Sequence, residues 1–295
     1  MKSFFSMISL LGLVLSFPST VFSDDELSFQ KLPVPKDHRN LLSLRNSSWC
    51  DGMIGTVLGR TCGRPAGIAI YEKTGDLYVA DAPLVLHVIS PAGGLAVKIA
   101  DSVDGTPFKF LDGLDVDPTT GVVYFTSFCS RFTPLQVIII VALELKDATG
   151  KLFKYDPSTK VVTVLMEGLS GSAGCAVSSD GSFVLVSQFT KSIIKKYLIK
   201  GPTAGTSEDF TNSVSNPDNI RRIGSTGNFW VASVVNKIVV PTNPSAVKVN
   251  SEGEVLQTIP LKEQFGDTLL SEVNKFEGSL YIGTLTGPFA GILKL

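Results

Sequence analysis

The sequence predicts an all-β chain folded as a β-propeller, and three features of it carry that expectation. A pattern recurs five times: a short apolar run, a turn rich in Gly, Asp or Asn, a second apolar run ending near Ala or Ser, then a third run. The repeats begin at Gly67, Gly113, Gly174, Asn219 and Glu272, spaced 46, 61, 45 and 53 residues apart, close to the roughly 40–50 residues of a four-stranded blade. Helical periodicity over a dozen residues is almost absent. A β-sandwich, the competing architecture, does not keep so long a period.

Taken in order, residues 1–23 read as a secretory signal. One lysine precedes an apolar run from about Phe4 to Phe17, and a Val-Phe-Ser tripeptide follows. Ser6, Ser9 and Ser16 interrupt the run, which argues against a membrane anchor of about 20 apolar residues. Residues 24–46 form an N-terminal segment with one poor strand at best, and residues 47–295 form the propeller domain. The repeats are GIAIYEKTGDLYVADA, GLDVDPTTGVVYFTSF, GCAVSSDGSFVLVSQF, NIRRIGSTGNFWVASV and EVNKFEGSLYIGTL. Alternation of apolar and polar residues marks half-buried antiparallel strands. KTGD, TTG, SDG and STG supply the Gly and Asp of tight hairpins. The long second interval fits an insertion around Arg131–Leu145, in which VIIIVAL (137–143) reads as a strand. GKLFKYDPSTKVVTVL (150–165) then supplies that blade's outer hairpin.

A net charge of −1 gives no sign of a nucleic-acid or membrane-surface partner. Asn46-Ser47-Ser48 is a glycosylation sequon, meaningful because the chain enters the secretory route. In that oxidising route Cys50 and Cys62 read as a disulfide that staples a loop. A zinc site would need four ligands at short spacing, and the histidines, His38 and His87, sit in no such arrangement. Cys129 and Cys175 read as small buried apolar residues, and His87, among aliphatic neighbours, as structural.

The innermost strands of a propeller surround one channel, so the start of each repeat faces the same space. Alignment places Ala66-Gly67, Asp112-Gly113, Ala173-Gly174, Asp218-Asn219 and Ser271-Glu272 in that ring. Asp112, Asp218, Asn219 and Glu272 could offer oxygen ligands to Ca²⁺, with Asp112 and Asn219 as the metal candidates. Alternatively Glu272 and Asp218 could do general acid–base work. The plain alternative is that acids at strand starts bind the adjacent turn, as NPDN would. GLSGS (168–172) misses the G-x-S-x-G nucleophile elbow at its last position, and no phosphate-binding Gly loop is present.

SSWCDG, CGRPAGIAI, LYVADAPLVLHVISPAGG, DSVDGTPFKFLDGLDVDPTTGVVYFT, TGKLFKYDPSTK, NPDNIRRI, GNFWVAS and LYIGTL resemble, in order, segments of strictosidine synthase and the plant strictosidine synthase-like proteins. The resemblance implies a six-bladed propeller with its first blade incomplete, and a disulfide at the spacing of Cys50 and Cys62. It also implies a vacuolar or endoplasmic-reticulum location, with an extracellular one as the alternative. The founding activity is a Pictet–Spengler condensation using a glutamate; distant relatives are calcium-dependent esterases and lactonases.

Two departures redirect the functional expectation. The condensing glutamate falls on Ser271, a family histidine on Leu269 and an active-site tyrosine near Phe132, so these three mark the substrate pocket. A serine cannot shuttle protons as a carboxylate does. Moreover, Ser28–Arg45 is too short for the blade that the family places there. The expectation is therefore a secretory-pathway protein acting on a small molecule, closer to an ester or lactone hydrolase than to the condensing lyase. The lyase of alkaloid biosynthesis and an inactive binding protein or truncated relic are the alternatives. No resident cofactor other than Ca²⁺ is implied.

Overall fold

The computed structural model describes residues 28–33, 64–82, 85–132, 147–235, 243–285 and 289–295. The signal segment, Asn46, Cys50, Cys62, His38, the 137–143 strand and most of the 131–145 insertion lie outside these residues.

Among the described residues there are five four-stranded antiparallel sheets and one two-stranded hairpin, and each sequence repeat becomes the inner hairpin of one four-stranded sheet. Strand β1 (Phe29–Pro33) comes first in the chain. The first sheet is β2 (Pro65–Tyr71), β3 (Asp76–Asp81), β4 (Leu86–Ile89) and β5 (Val97–Ala100). A two-stranded hairpin, β6 (Ser102–Val103) and β7 (Thr106–Pro107), leads to the second sheet. That sheet is β8 (Leu111–Val116), β9 (Val123–Ser127), β10 (Gly150–Asp156) and β11 (Val161–Leu169), so the 150–165 segment is its outer hairpin as expected. The third sheet contains β12 (Ser172–Val177), β13 (Phe183–Gln188), β14 (Ile193–Leu198) and β15 (Ser207–Thr211). The fourth contains β16 (Pro217–Arg222), β17 (Phe229–Ser233), β18 (Ser245–Val249) and β19 (Val255–Pro260). The short helix α1 (Lys262–Phe265) precedes β20 (Leu270–Phe276), β21 (Ser279–Thr284) and β22 (Phe289–Lys294).

The fifth sheet takes its outermost strand from the other end of the chain. β1 pairs antiparallel with β22, from Phe29 opposite Leu293 to Pro33 opposite Phe289. Phe29 meets Phe265 edge-on at 5.3 Å between ring centroids. Both rings lie over Gly291, where a Cβ would stand 2.6 Å from either ring.

Alternation along the strands gives every sheet two apolar faces, which pack between neighbours. Tyr78, Ala80 and Leu86 of the first sheet meet Leu114, Phe125 and Phe153 of the second. Tyr124, Leu152 and Met166 face Cys175, Val184 and Val186 of the third. Leu185 and Ile194 face Ile220, Phe229 and Val231 of the fourth, and Trp230, Ala232 and Ala246 face Val273, Leu280 and Ile282 of the fifth. The opposite face of the first sheet carries Ile68, Leu77, Val79 and Ile89, also buried. Fully burying such side chains is worth about 1.5–3 kcal/mol each, so the interfaces between sheets hold the radial arrangement together.

Inner strands β2, β8, β12, β16 and β20 pack side by side in that order around the axis. Among the described residues, no comparable packing joins β20 back to β2. None of the described helices is long and apolar enough to cross a membrane. Cys129 and Cys175 are both free and buried, and His87 is buried in β4, as the sequence suggests.

Candidate functional site: the mouth of the central channel

Every inner strand carries one extra residue at its start. The register jumps between Pro65 and Gly67, Leu111 and Leu114, Ser172 and Cys175, Pro217 and Ile220, and Leu270 and Glu272. These are β-bulges, which kink a strand and re-aim its side chains. The five bulges contain the residue pairs that repeat alignment places in the ring. They lie at one end of the channel, where inner strands begin and their neighbours end.

The ring is tight because three of its members lack a Cβ. A Cβ on Gly113 would lie 2.7 Å from the Gly174 Cα, and one on Gly174 would lie 2.5 Å from the Asn219 Cα. Gly67 meets the Asp112–Leu114 backbone in the same way. Hydroxyls from the second strands repair the disturbed ladders: Gly113 N–H donates to Thr126 Oγ1 at 3.0 Å, and Gly174 N–H to Ser187 Oγ at 2.8 Å. Thr126 Oγ1 also donates to the Ala173 carbonyl of the next sheet.

Asp112 and Asp218 stand in the β8 and β16 bulges of this ring, with the β12 bulge between them, and each is half-buried. Burial pushes the Asp112 carboxyl up to about 7. Asp218 is raised well above the ordinary carboxylate value by burial first, then by repulsion from Asp112 and Glu272. Burial of this kind favours the protonated form of both carboxyls.

Glu272, at the same level on β20, is buried with 2% of its side chain exposed, and both its oxygens are committed. Arg221 Nε donates to Oε1 at 2.9 Å and Nη2 to Oε2 at 2.7 Å. Nη1 reaches past β12 to the Leu114 carbonyl on β8 at 3.3 Å. Burial works against the Arg221 charge, but the Glu272 carboxylate outweighs it and the guanidinium is held more firmly protonated than usual. Beside it, Arg222 Nη1 donates to Asp115 Oδ2 at 3.2 Å and to the Val177 carbonyl at 2.5 Å. Asp115 Oδ2 also accepts the Val177 N–H at 2.9 Å.

The remaining expected residues lie around the same end. Ser271 is buried, and its hydroxyl finds no hydrogen-bond partner among the described residues. Leu269, half-buried just before β20, packs on the core between the fourth and fifth sheets. Phe132 carries the Arg131 guanidinium 5.4 Å from its ring centroid, and its carbonyl accepts the Cys129 thiol. Asn219 is buried against Gly113. Among the described residues, no group of three or more His, Cys, Asp or Glu side chains converges closely enough to hold a metal ion. Arg221, Arg222 and Asp115 were not singled out by sequence reasoning. Their signal was the adjacent arginine pair in NIRRI, where the first and third repeats carry Ala-Ile and Ala-Val at the aligned positions.

Sheets packed radially about an axis, with carboxyls at the start of the inner strands, define a β-propeller with a polar ring at one end of its central channel. The strictosidine synthase family model matches residues 112–202. Strictosidine synthase-like protein 12 of Arabidopsis thaliana is 74% identical over 331 positions, covering 100% of this chain and 98% of the relative. The chain belongs to the strictosidine synthase-like family. Strictosidine synthase of Catharanthus roseus is 35% identical over 259 residues, 84% of this chain and 71% of that protein. Among solved structures, a putative gluconolactonase superposes with a TM-score of 0.56 at 16% identity, covering 79% of this chain and 74% of that one. The alignment with the Arabidopsis relative is 36 positions longer than this chain's 295 residues, so the relative has internal segments that this chain lacks.

Proposed function

We propose that the channel mouth is the active site of a small-molecule hydrolase acting on esters or lactones. The observation that carries this reading is that Asp112 and Asp218 stand in the same bulge ring, both made harder to ionise by burial, while Glu272 is locked on Arg221. Asp218, the harder to ionise, holds the proton and acts as the acid. Asp112, ionising near neutrality, acts as the base. Asp112 takes a proton from water as its oxygen attacks the substrate carbonyl. The carbon–oxygen bond to the leaving alkoxide breaks, and Asp218 protonates that alkoxide, giving one acid and one alcohol. The condensing reaction needs a free carboxylate at the level of Ser271 and Glu272. Ser271 has none, and the carboxylate of Glu272 is taken.

Phe132, Leu269 and Ser271 border the substrate. Asp112 and Asn219 are the residues that would hold Ca²⁺, which would supply Lewis-acid polarisation of a bound carbonyl. The protein acts in the secretory pathway, in vacuole or endoplasmic reticulum or outside the cell, glycosylated at Asn46 and stapled by Cys50–Cys62. The arc between β20 and β2, bordered by the apolar Ile68–Val79 face, is the place of a sixth blade that this chain carries only in shortened form.

The test is an assay of aryl esters and aliphatic lactones, with and without chelator, beside tryptamine plus secologanin. Hydrolysis lost by more than about a hundredfold in Asp218→Asn supports the reading. Robust strictosidine formation by the unmodified chain overturns it.

A further inference from the structure

We propose that Arg221 is a positioning residue that floors the channel and withdraws Glu272 from chemistry, so that the mouth admits neutral or cationic small molecules and rejects carboxylates. The inference rests on the mouth being the reactive site and adds the class of molecule that site takes.

The guanidinium is rooted on β16, bonded to Glu272 on β20 and, past β12, to the Leu114 carbonyl on β8. It thus ties together three of the five inner strands just beneath the bulges, with 10% of the Arg221 side chain exposed. A guanidinium fork matched to two carboxylate oxygens is the arrangement that anion sites present to a ligand. Here the fork is filled from within. The groups facing it are Glu272, Asp115 and the Cys175 thiol, and those facing Asp218 are Asp112 and Glu272. Above about pH 7 an entering carboxylate therefore meets the ionised Asp112 and finds the cation beneath the ring already satisfied. A neutral ester or lactone meets no such repulsion, whereas the acid released from it does, which favours departure of product over its retention.

Replacing Glu272 with glutamine would free the fork without removing it. Benzoate serves as the anionic probe, added at pH 8 to the full chain, to Glu272→Gln and to the double variant Arg221→Gln/Glu272→Gln. Binding is read by calorimetry, and the aspartate carboxyl carbons are followed by NMR across pH 4–9. The expected result is benzoate binding at least about tenfold tighter in Glu272→Gln than in the unmodified chain, with the aspartate midpoints lowered by about a pH unit. The double variant loses both changes. Should Glu272→Gln fail to fold, Glu272→Asp, which withdraws the carboxylate by one methylene, is expected to give a smaller gain of the same sign. Equal benzoate affinity in all folded variants, or a gain that survives in the double variant, overturns the assignment. Neither readout uses turnover, so an absence of hydrolysis would overturn the proposed reaction and leave this inference standing.

Discussion

Arg221 and Glu272, fifty-one residues apart in sequence, form a two-pronged ion pair inside the channel, at 2.9 and 2.7 Å. The pair is almost wholly shielded from water, so its partners are worth far more together than either is alone. Removing one member of a buried pair costs about 3–5 kcal/mol, whereas apolar replacement of both is often neutral. Glu272→Ala should therefore lower stability by that amount, and Arg221→Met/Glu272→Leu by clearly less. Urea unfolding of the two variants checks the order; equal losses would mean the pair contributes no coupling.

Asp112 gives the molecule a pH dependence of definite sign. Its carboxyl rises from 3.8 in the unfolded chain to about 7 in the fold, so the native state binds the proton more tightly. That stability is fully present below pH 3.8 and is lost as pH rises through about 7. Asp112→Asn should flatten the melting temperature between pH 5 and 8 and stabilise the protein at pH 8 by on the order of 2 kcal/mol, allowing for partial exposure. A variant less stable than the parent at pH 8 would show that the carboxylate is held by favourable contacts instead.

The glycine ring predicts an abrupt steric limit. Gly174→Ala puts a methyl group 2.5 Å from the Asn219 Cα, against backbone that cannot rotate away. A loss of about 3 kcal/mol or more is expected. Gly168→Ala meets nothing within 4 Å, although its φ of +75° adds backbone strain, and should cost about 1 kcal/mol. Thermal melts of the two variants separate clash from strain.

Thiol counting tests the cysteine assignments. Burial raises the Cys129 thiol to about 11 and raises Cys175 further still, so neither should react with a disulfide reagent at pH 8 in the native protein. Denatured without reductant, the secreted chain should show two reactive thiols of the four cysteines, and all four after reduction. Four thiols before reduction would remove the Cys50–Cys62 staple.

The inner hairpins were readable from sequence because each couples an alternating strand pair to a Gly- or Asp-bearing turn, and the ring pairs followed from aligning them. The bulges were not readable: Asp112-Gly113 and Asp218-Asn219 look like ordinary strand starts until pairing shows one residue too many. Arg221 was hidden for a related reason, since its partners Glu272 and Leu114 are set by the ring and not by local spacing. Outer strands such as β19, with Val255 and Leu256 exposed, carry no alternation to detect. β1 was the hardest element to place, because what makes FQKLP a strand is FAGILK at the far end of the chain.

That last pairing imposes an order on biosynthesis. A strand made early must wait, unpaired, until β22 has left the ribosome, so the fifth sheet can be completed only then. Contacts this distant make folding slow, and for the whole of that interval the nascent chain exposes an apolar edge that chaperones, or a second unfinished chain, can occupy first.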